Sequence, residues 1–396
     1  MNVSSSEKVP SGVASQIRAN LQTYAIILAL IVIWIIFSFT TNGLYLMPQN
    51  FSNLFRQMTV TSFLSVGMVL VIVSGNIDLS VGKLAGFVSV VVAFFQAEVW
   101  YRWLPDQPLL TTALSVLVGL GVGTLVGVIN GYIIAYLNIP SFIVTLGGMW
   151  VFNGLILVVT EGKTIPANQP MFSVIAQGYL PPLAGWVVVG IIVAILFYNM
   201  VHGRQKKVRY GFELPPLMQD ILKTVFFSLV LVIYLVVVNQ YNGVQIPVLL
   251  LAVVAVIVSY VCTNVPFGRY VYAIGGNREA ARLSGVNIRK NVFMTFVLMG
   301  FLCGISGVVL ASYVGYGTIA AGNGYELDAI ASCILGGTST LGGVGTVFGA
   351  MIGSLIMASL TNGLQMMNVV AAWQYVLKGM VLVLAVYTDV KLKQRG

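Results

Sequence analysis

Residues 272–287 read YAIGGNREAARLSGVN. Asn277 can accept a backbone N–H of a first helical turn through its side chain, as an N-cap does. Glu279 falls in that turn, where the helix dipole favours negative charge. Ala280, Ala281, Arg282 and Leu283 are helix formers, and Gly285 can take the left-handed conformation that closes a helix. The sequence predicts about two turns of polar helix over 277–284, with Gly275 and Gly276 supplying a sharp bend before it. So short a helix is not stable alone in water. It must dock, either on the protein's own ends or on a second protein.

The surroundings of this polar island decide the fold. The chain has 396 residues, 58% hydrophobic and 8% charged, with a mean hydropathy of +0.94. Soluble domains carry about 25% charged residues, so a water-facing coat cannot be built from these. A transmembrane β-barrel would show alternating segments of about 10 residues. The chain instead shows continuous apolar runs near 20 residues, the length of a spanning helix whose backbone satisfies its own hydrogen bonds. The fold class is therefore an all-α integral membrane protein.

Twelve apolar segments are predicted, near 21–40, 54–74, 79–98, 109–137, 140–160, 184–201, 218–238, 246–263, 291–313, 325–341, 343–362 and 370–388. The tenth, with its glycine-rich CILGGTST, reads as a weak, broken or re-entrant helix. The first 20 residues lack a small-residue cleavage signal, so the run from Leu21 to Thr40 is expected to be an uncleaved span. The domain reading is a tail over 1–20, a membrane domain over 21–390 containing the polar region 264–290, and a basic tail over 391–396.

Charge orients the spans. If the N-terminus is cytoplasmic, the inner segments hold Lys8, Arg18, Arg204, Lys206, Lys207, Arg209, Arg269, Arg278, Arg282, Arg289, Lys290, Lys391, Lys393 and Arg395, while the outer loops hold only Arg102 and Lys163. That asymmetry is the positive-inside bias. Both termini and the polar helix are thus expected on the cytoplasmic side. The same bias accounts for the net charge of +9 without nucleic acid. Cys262, Cys303 and Cys333 lie in apolar segments with no C-x-x-C spacing and read as small core residues.

An internal repeat is visible. GVGTLVGVINGYII starts at Gly121 and GVGTVFGAMIGSLI at Gly343, with seven of fourteen positions identical. Each copy spaces glycines by four: Gly123, Gly127 and Gly131, then Gly345, Gly349 and Gly353. On a helix that spacing allows a neighbouring backbone to approach closely. GNIDLS at Gly75 and GNGYELD at Gly322 add to the likeness, so two related halves are expected, as is common in transporters.

Several longer stretches bear a family likeness. FGRYVYAIGGNREAARLSGVNI (267–288), SGNIDLSVG (74–82), IPSFIVTLGGM (139–149), GYELDAIASCILGGTSTLGGVGTVFGA (324–350), LTNGLQMM (360–367) and WQYVLKGMVLVLAV (373–386) occur in order. Together they resemble the permease subunits of bacterial ABC sugar importers of the ribose/xylose/galactose type. The length and the basic segment GRQKKVRYG look most like xylose-type permeases, with two spans around 200–240 beyond the ten-helix core of shorter members.

The resemblance implies a type II importer-like pore in the bacterial inner membrane, usually a homodimer. It implies a separate ABC ATPase below that binds ATP and Mg, and a periplasmic binding protein that delivers a monosaccharide above. The polar helix would couple to the ATPase through Gly275, Gly276, Asn277, Arg278, Glu279, Ala280, Ala281, Arg282, Leu283, Ser284 and Gly285, with Leu283 as apolar anchor.

No ATP site is expected on this chain. EGKT at Glu161 resembles the end of a P-loop, but the first P-loop glycine would be Leu157. Nor does any His/Cys cluster have metal spacing, and His202 reads as an interfacial residue.

Acids beside apolar spans mark function or a paired structural contact. Asp78, Glu326 and Asp328 are such acids, readable as pathway residues or as caps of the following helix. Asn130, Trp150, Asn153, Trp373 and Gln374 offer hydrogen bonds or stacking to a sugar, against core or interface placement. Lys378, inside a span, can pair with an acid or snorkel. An ion-driven secondary sugar carrier is the rival reading; it would share repeats and broken helices but has no need of a capped polar helix.

Overall fold

The computed structural model describes residues 21–393, apart from 168, 213 and 215. Eleven of the twelve apolar segments form helices at or near the expected places. The membrane-length helices are α1 Leu21–Thr40, α2 Pro48–Val73, α3 Val81–Trp103, α4 Pro108–Ala135 and α5 Ser141–Thr160. The short α6 is Pro170–Gln177, followed by α7 Pro182–Arg209, α8 Leu217–Asn239 and α9 Ile246–Asn264. The polar region holds α10 Pro266–Gly276 and α11 Arg278–Leu283. Then come α12 Ile288–Val314, α13 Tyr325–Leu335, α14 Val347–Met366 and α15 Ala371–Lys393. Among the described residues nine of these helices are long and apolar enough to cross a bilayer, and α1 and α15 have shorter apolar stretches, Ile26–Thr40 and Ala371–Tyr387.

The tenth segment is the exception. Its helix α13 has 11 residues, about 16 Å at 1.5 Å per residue, half of a hydrocarbon core of about 30 Å. The rest of 315–346 is a two-residue strand, β2 Tyr316–Gly317, and glycine-rich loop. β2 pairs antiparallel with β1 Ile165–Pro166.

The connections gather alternately at two ends of the bundle. At the α11 end, Ile77 N–H meets Ser141 Oγ, Gly343 N–H donates to Val73 O at 2.9 Å and Tyr272 Oη donates to Gly345 O at 2.7 Å. At the opposite end, β1 pairs with β2, Asn50 donates to Asn362, Gln245 to Ser52, and Leu180 N–H to Val244 O. Residues 315–346 therefore run from one end to the other as a broken crossing, and the alternation of the twelve segments holds. Arg204, Lys206, Lys207, Arg209 and the 269–290 cations fall at the α11 end, with Arg102 and Lys163 opposite.

Helix α2 is the axis: 83% of its apolar window is buried in the protein, against 11% for α7 and for α8. Lipid gives no hydrophobic drive between helices, so packing rests on close van der Waals contact. The α4–α12 crossing shows how. A Cβ on Gly123 would lie 2.4 Å from Gly300 O, and one on Gly300 would lie 2.6 Å from Gly127 Cα. The first glycine stripe thus does what its spacing predicts.

The second stripe differs. Gly345 precedes α14 in a loop against Thr338 and Val73, while Gly349 and Gly353 abut Gly336 O and Ser332 O at the end of α13. Thr346 is an N-cap accepting from Gly349 N–H at 3.0 Å, whereas its counterpart Thr124 is mid-helix. The same sequence thus starts a helix in one copy and continues one in the other, because only the second follows a glycine-rich break.

Candidate functional site

At the end opposite α11, helices α2, α13, α14 and α15 enclose a polar cleft of about 260 Å³. Gln57 and Thr61 come from α2, Thr361 and Gln365 from α14, Gln374, Tyr375 and Lys378 from α15, and Asn323, Tyr325 and Asp328 from α13 and its approach. Small-molecule sites run from about 300 Å³ upward, so the cleft suits a compact ligand. Its wall is mostly amide, hydroxyl and phenol, groups that both donate and accept. Its one charged pair neutralises itself: Lys378 Nζ lies 2.8 Å from Asp328 Oδ2, with side chains 19% and 8% exposed. Gln57 Nε2 donates to Gln365 Oε1 at 3.3 Å across the cleft, and Gln374 Nε2 is held by Val369 O at 2.8 Å.

Of the eight pathway candidates, the cleft gathers Asp328 and Gln374. Asp78 is buried and accepts from Ser80 N–H at 2.9 Å and from Ser80 Oγ at 2.6 Å. It closes a local turn onto Ser80, the residue before α3, and makes no bond to the first turn of that helix. Glu326 sits in the first turn of α13 with its carboxylate against Gly82, within electrostatic reach of Lys83, and its Oε2 is buried without a hydrogen bond. Asn130 is buried within α4, and Asn153 is half-buried on α5. Trp150 and Trp373 are 68% and 62% exposed and line no part of the cleft. The structure does not bring these six into the cleft.

The residues that sequence reasoning missed had a signal. Gln57 and Thr61, and Thr361 and Gln365, are polar pairs four apart within apolar spans, which places each pair on one helix face, as Gln374 and Lys378 are on α15.

At the other end, α11 is built as its caps predict. Asn277 Oδ1 accepts from Ala280 N–H at 2.9 Å. Gly285 has φ +83°, its N–H bonds Arg282 O, and Val286 N–H bonds Ala281 O, the paired bonds of a Schellman close. Glu279 and Arg282 form a two-point ion pair at 2.5 and 3.1 Å. Ala281 is buried, while Arg278, Glu279, Ala280, Arg282 and Ser284 are exposed and Leu283 is 77% exposed. The helix docks on its own chain through one small residue and leaves its other faces open.

The expected bend at Gly275–Gly276 is corrected. Both glycines are helical, the last two residues of α10, and the chain turns at Asn277, whose φ of −156° and ψ of 103° are extended. Gly275 is there for space: its Cβ would lie 1.6 Å from Val73 O and 2.7 Å from Gly343 N. A Cβ on Gly276 would meet nothing within 4 Å. Three backbones meet at Gly275: the helix leading to α11, the end of α2, and the loop between α13 and α14. Of these, α2 is itself a wall of the polar cleft, and the loop joins two others, α13 and α14.

The EGKT segment follows α5 in a turn, with Glu161 and Gly162 at φ +50° and +76°, and leads into β1. A P-loop opens a helix with backbone N–H groups aimed at phosphate; this segment opens none.

A bundle of membrane-length helices with a neutral polar cleft at one end and an exposed capped helix at the other defines a multi-pass membrane transport protein. Residues 50–386 match the family model described as branched-chain amino acid transport system / permease component, and the chain belongs to that family. It is 42% identical over 379 residues to the xylose transport system permease protein of Haemophilus influenzae, covering 95% of this chain and 98% of that one. It is 32% identical to the galactose/methyl galactoside import permease protein of Salmonella typhimurium, covering 92% of each. The ribose import permease protein of Haemophilus influenzae is 29% identical over 86% of this chain and 85% of its own. No solved structure matches the chain.

Proposed function

We propose that the chain is the membrane-spanning permease subunit of an ATP-driven importer of a monosaccharide, with xylose the leading candidate. The observation that carries this reading is the pairing of two sites at opposite ends of one bundle. A closed, capped helix with open faces is a docking device, and through Gly275 it abuts the elements that wall the cleft.

A separate ABC ATPase binds ATP and Mg and holds α11, with Leu283 as anchor. Closure of the ATPase moves α10 and α11 as one lever and shifts the end of α2 and the α13–α14 loop, which opens or closes the cleft. A periplasmic binding protein delivers sugar to the cleft end, and two copies of the chain flank the route. The chain lies in the bacterial inner membrane with both termini and α11 cytoplasmic, as the distribution of Lys and Arg supports.

The cleft chemistry favours a neutral polyol. A zwitterionic amino acid needs opposite charges free to pair with it, and Asp328 and Lys378 already satisfy each other. The similarity to permeases named for xylose, galactose and ribose supports the same class.

The test is uptake of labelled xylose, galactose, ribose and leucine into vesicles containing the chain, with and without its ATPase, binding protein and ATP. Sugar uptake that requires all three is expected. Uptake driven by an ion gradient alone would establish a secondary carrier instead, and leucine uptake would overturn the substrate class.

A further inference from the structure

Helix α7 runs for 28 residues, about 42 Å at 1.5 Å per residue, against a hydrocarbon core of about 30 Å. Its final turns therefore stand in the headgroup layer. They carry Arg204, Lys206, Lys207 and Arg209. Arg204 is engaged with Asp220 of α8, which ties the two helices together and neutralises that acid. Lys206, Lys207, Arg209 and, near the start of α8, Lys223 are exposed and form no ion pair among the described residues.

Beside these cations the turn exposes apolar bulk. Tyr210 is 71% exposed, Phe212 67%, Leu217 53% and Met218 65%. A loop in water has no reason to hold such side chains in the open. At a bilayer surface the combination is favourable: aromatic and aliphatic groups enter the boundary with the acyl chains while Lys and Arg reach phosphate.

The position of the hairpin decides between lipid and protein. Only 11% of the apolar window of α7 and of α8 is buried in the protein, which leaves most of both helices open to lipid. Helix α11 packs on α10 and α12, not on this pair.

We infer that the end of α7 and the start of α8 form a binding site for anionic phospholipid headgroups. Lys206, Lys207, Arg209 and Lys223 hold the phosphates, and Tyr210, Phe212, Leu217 and Met218 seat the two helix ends in the interface. The inference rests on the chain spanning a bilayer and not on what it carries, so its test needs neither sugar nor ATP.

The full chain is reconstituted in nanodiscs of phosphatidylcholine containing a minor fraction of phosphatidylglycerol, and the lipids it retains are counted by native mass spectrometry. Each juxtamembrane cation enriches anionic lipid about fivefold, so the triple variant Lys206→Gln/Lys207→Gln/Arg209→Gln should lose at least tenfold of the phosphatidylglycerol enrichment. Lys163→Gln, one charge removed at the opposite end, should keep it. Excess inorganic phosphate should not displace the lipid; displacement would mark a bare anion site and overturn the inference.

Equal enrichment in the triple variant and the unaltered protein would also overturn it, as would unchanged enrichment together with loss of ATPase co-purification, which would assign the patch to a protein. Should the triple variant fail to insert, salt gives the second reading on the unaltered protein. The screening length falls from about 30 Å at 0.01 M to about 3 Å at 1 M, so enrichment should fall with it, and salt-independent enrichment would refute the site.

Discussion

Gly275→Ala should break the link between ATP hydrolysis and uptake, while Gly276→Ala, one residue on, should not. A Cβ at 275 would lie 1.6 Å from Val73 O, where carbon and oxygen normally come no nearer than about 3.3 Å. The obstacle is main chain, so no rotamer can relieve it, and the two backbones must part by about 1.7 Å. Overpacking of this kind costs about 1–3 kcal/mol. The Gly343 N–H to Val73 O hydrogen bond, 2.9 Å in the native packing, is lost with it, about 1 kcal/mol more. Alanine returns up to about 1 kcal/mol through helix propensity, which leaves a net loss of about 1–4 kcal/mol located at the junction. At 276 the same methyl meets nothing within 4 Å. The assay is uptake and ATP hydrolysis measured together in proteoliposomes, with the amount of assembled complex measured alongside. Gly275→Ala is expected to assemble, hydrolyse ATP and lose tenfold or more of the uptake per ATP. Full uptake in Gly275→Ala, or equal loss in Gly276→Ala, would refute the junction as the transmission point.

Three further outcomes are expected. Leu283→Asp should leave thermal unfolding within about 0.5 kcal/mol of the parent, since the side chain is 77% exposed, yet should abolish ATPase co-purification; retained association would remove Leu283 as anchor. Lys378→Met should destabilise by about 3–5 kcal/mol by leaving Asp328 buried and unpaired, and Asp328→Asn/Lys378→Met should recover most of that loss in a thermal melt; additive losses would deny the pairing. Gln57→Ala and Gln365→Ala should each raise the apparent KM for the sugar about threefold to tenfold, the worth of one hydrogen bond, with membrane levels unchanged; an unchanged KM in both would move the sugar elsewhere.

The spans were legible because each is a local property: about twenty apolar residues suffice, whatever the neighbours. Helix α11 was legible for the same reason, since Asn277, Glu279 and Gly285 act on their own turn. The misread residues are those whose role lies with a distant partner. Gly275 reads locally as a bend, but its reason is the carbonyl of Val73, some 200 residues away in sequence. Gly345 fits a helical stripe by spacing, yet the chain reaches it from a glycine-rich loop and turns helical only at Val347. Trp150 and Trp373 have the chemistry to stack on a sugar but lie outside the cleft, and nothing in a single sequence says which helix face turns toward it. The cleft itself is half legible through Asp328, Gln374 and the intramembrane Lys378, and the i, i+4 polar pairs of α2 and α14 carry the other half.

The most direct measurement labels a cysteine in the cleft while nucleotide acts at the other end. With Gln365→Cys in vesicles, a membrane-impermeant thiol reagent reports cleft access from outside. Labelling should change severalfold when a non-hydrolysable ATP analogue is added in the presence of the ATPase, and should stay constant without the ATPase or in a chain also carrying Leu283→Asp. Labelling that is indifferent to nucleotide with the full complex assembled would contradict a cleft worked from α11.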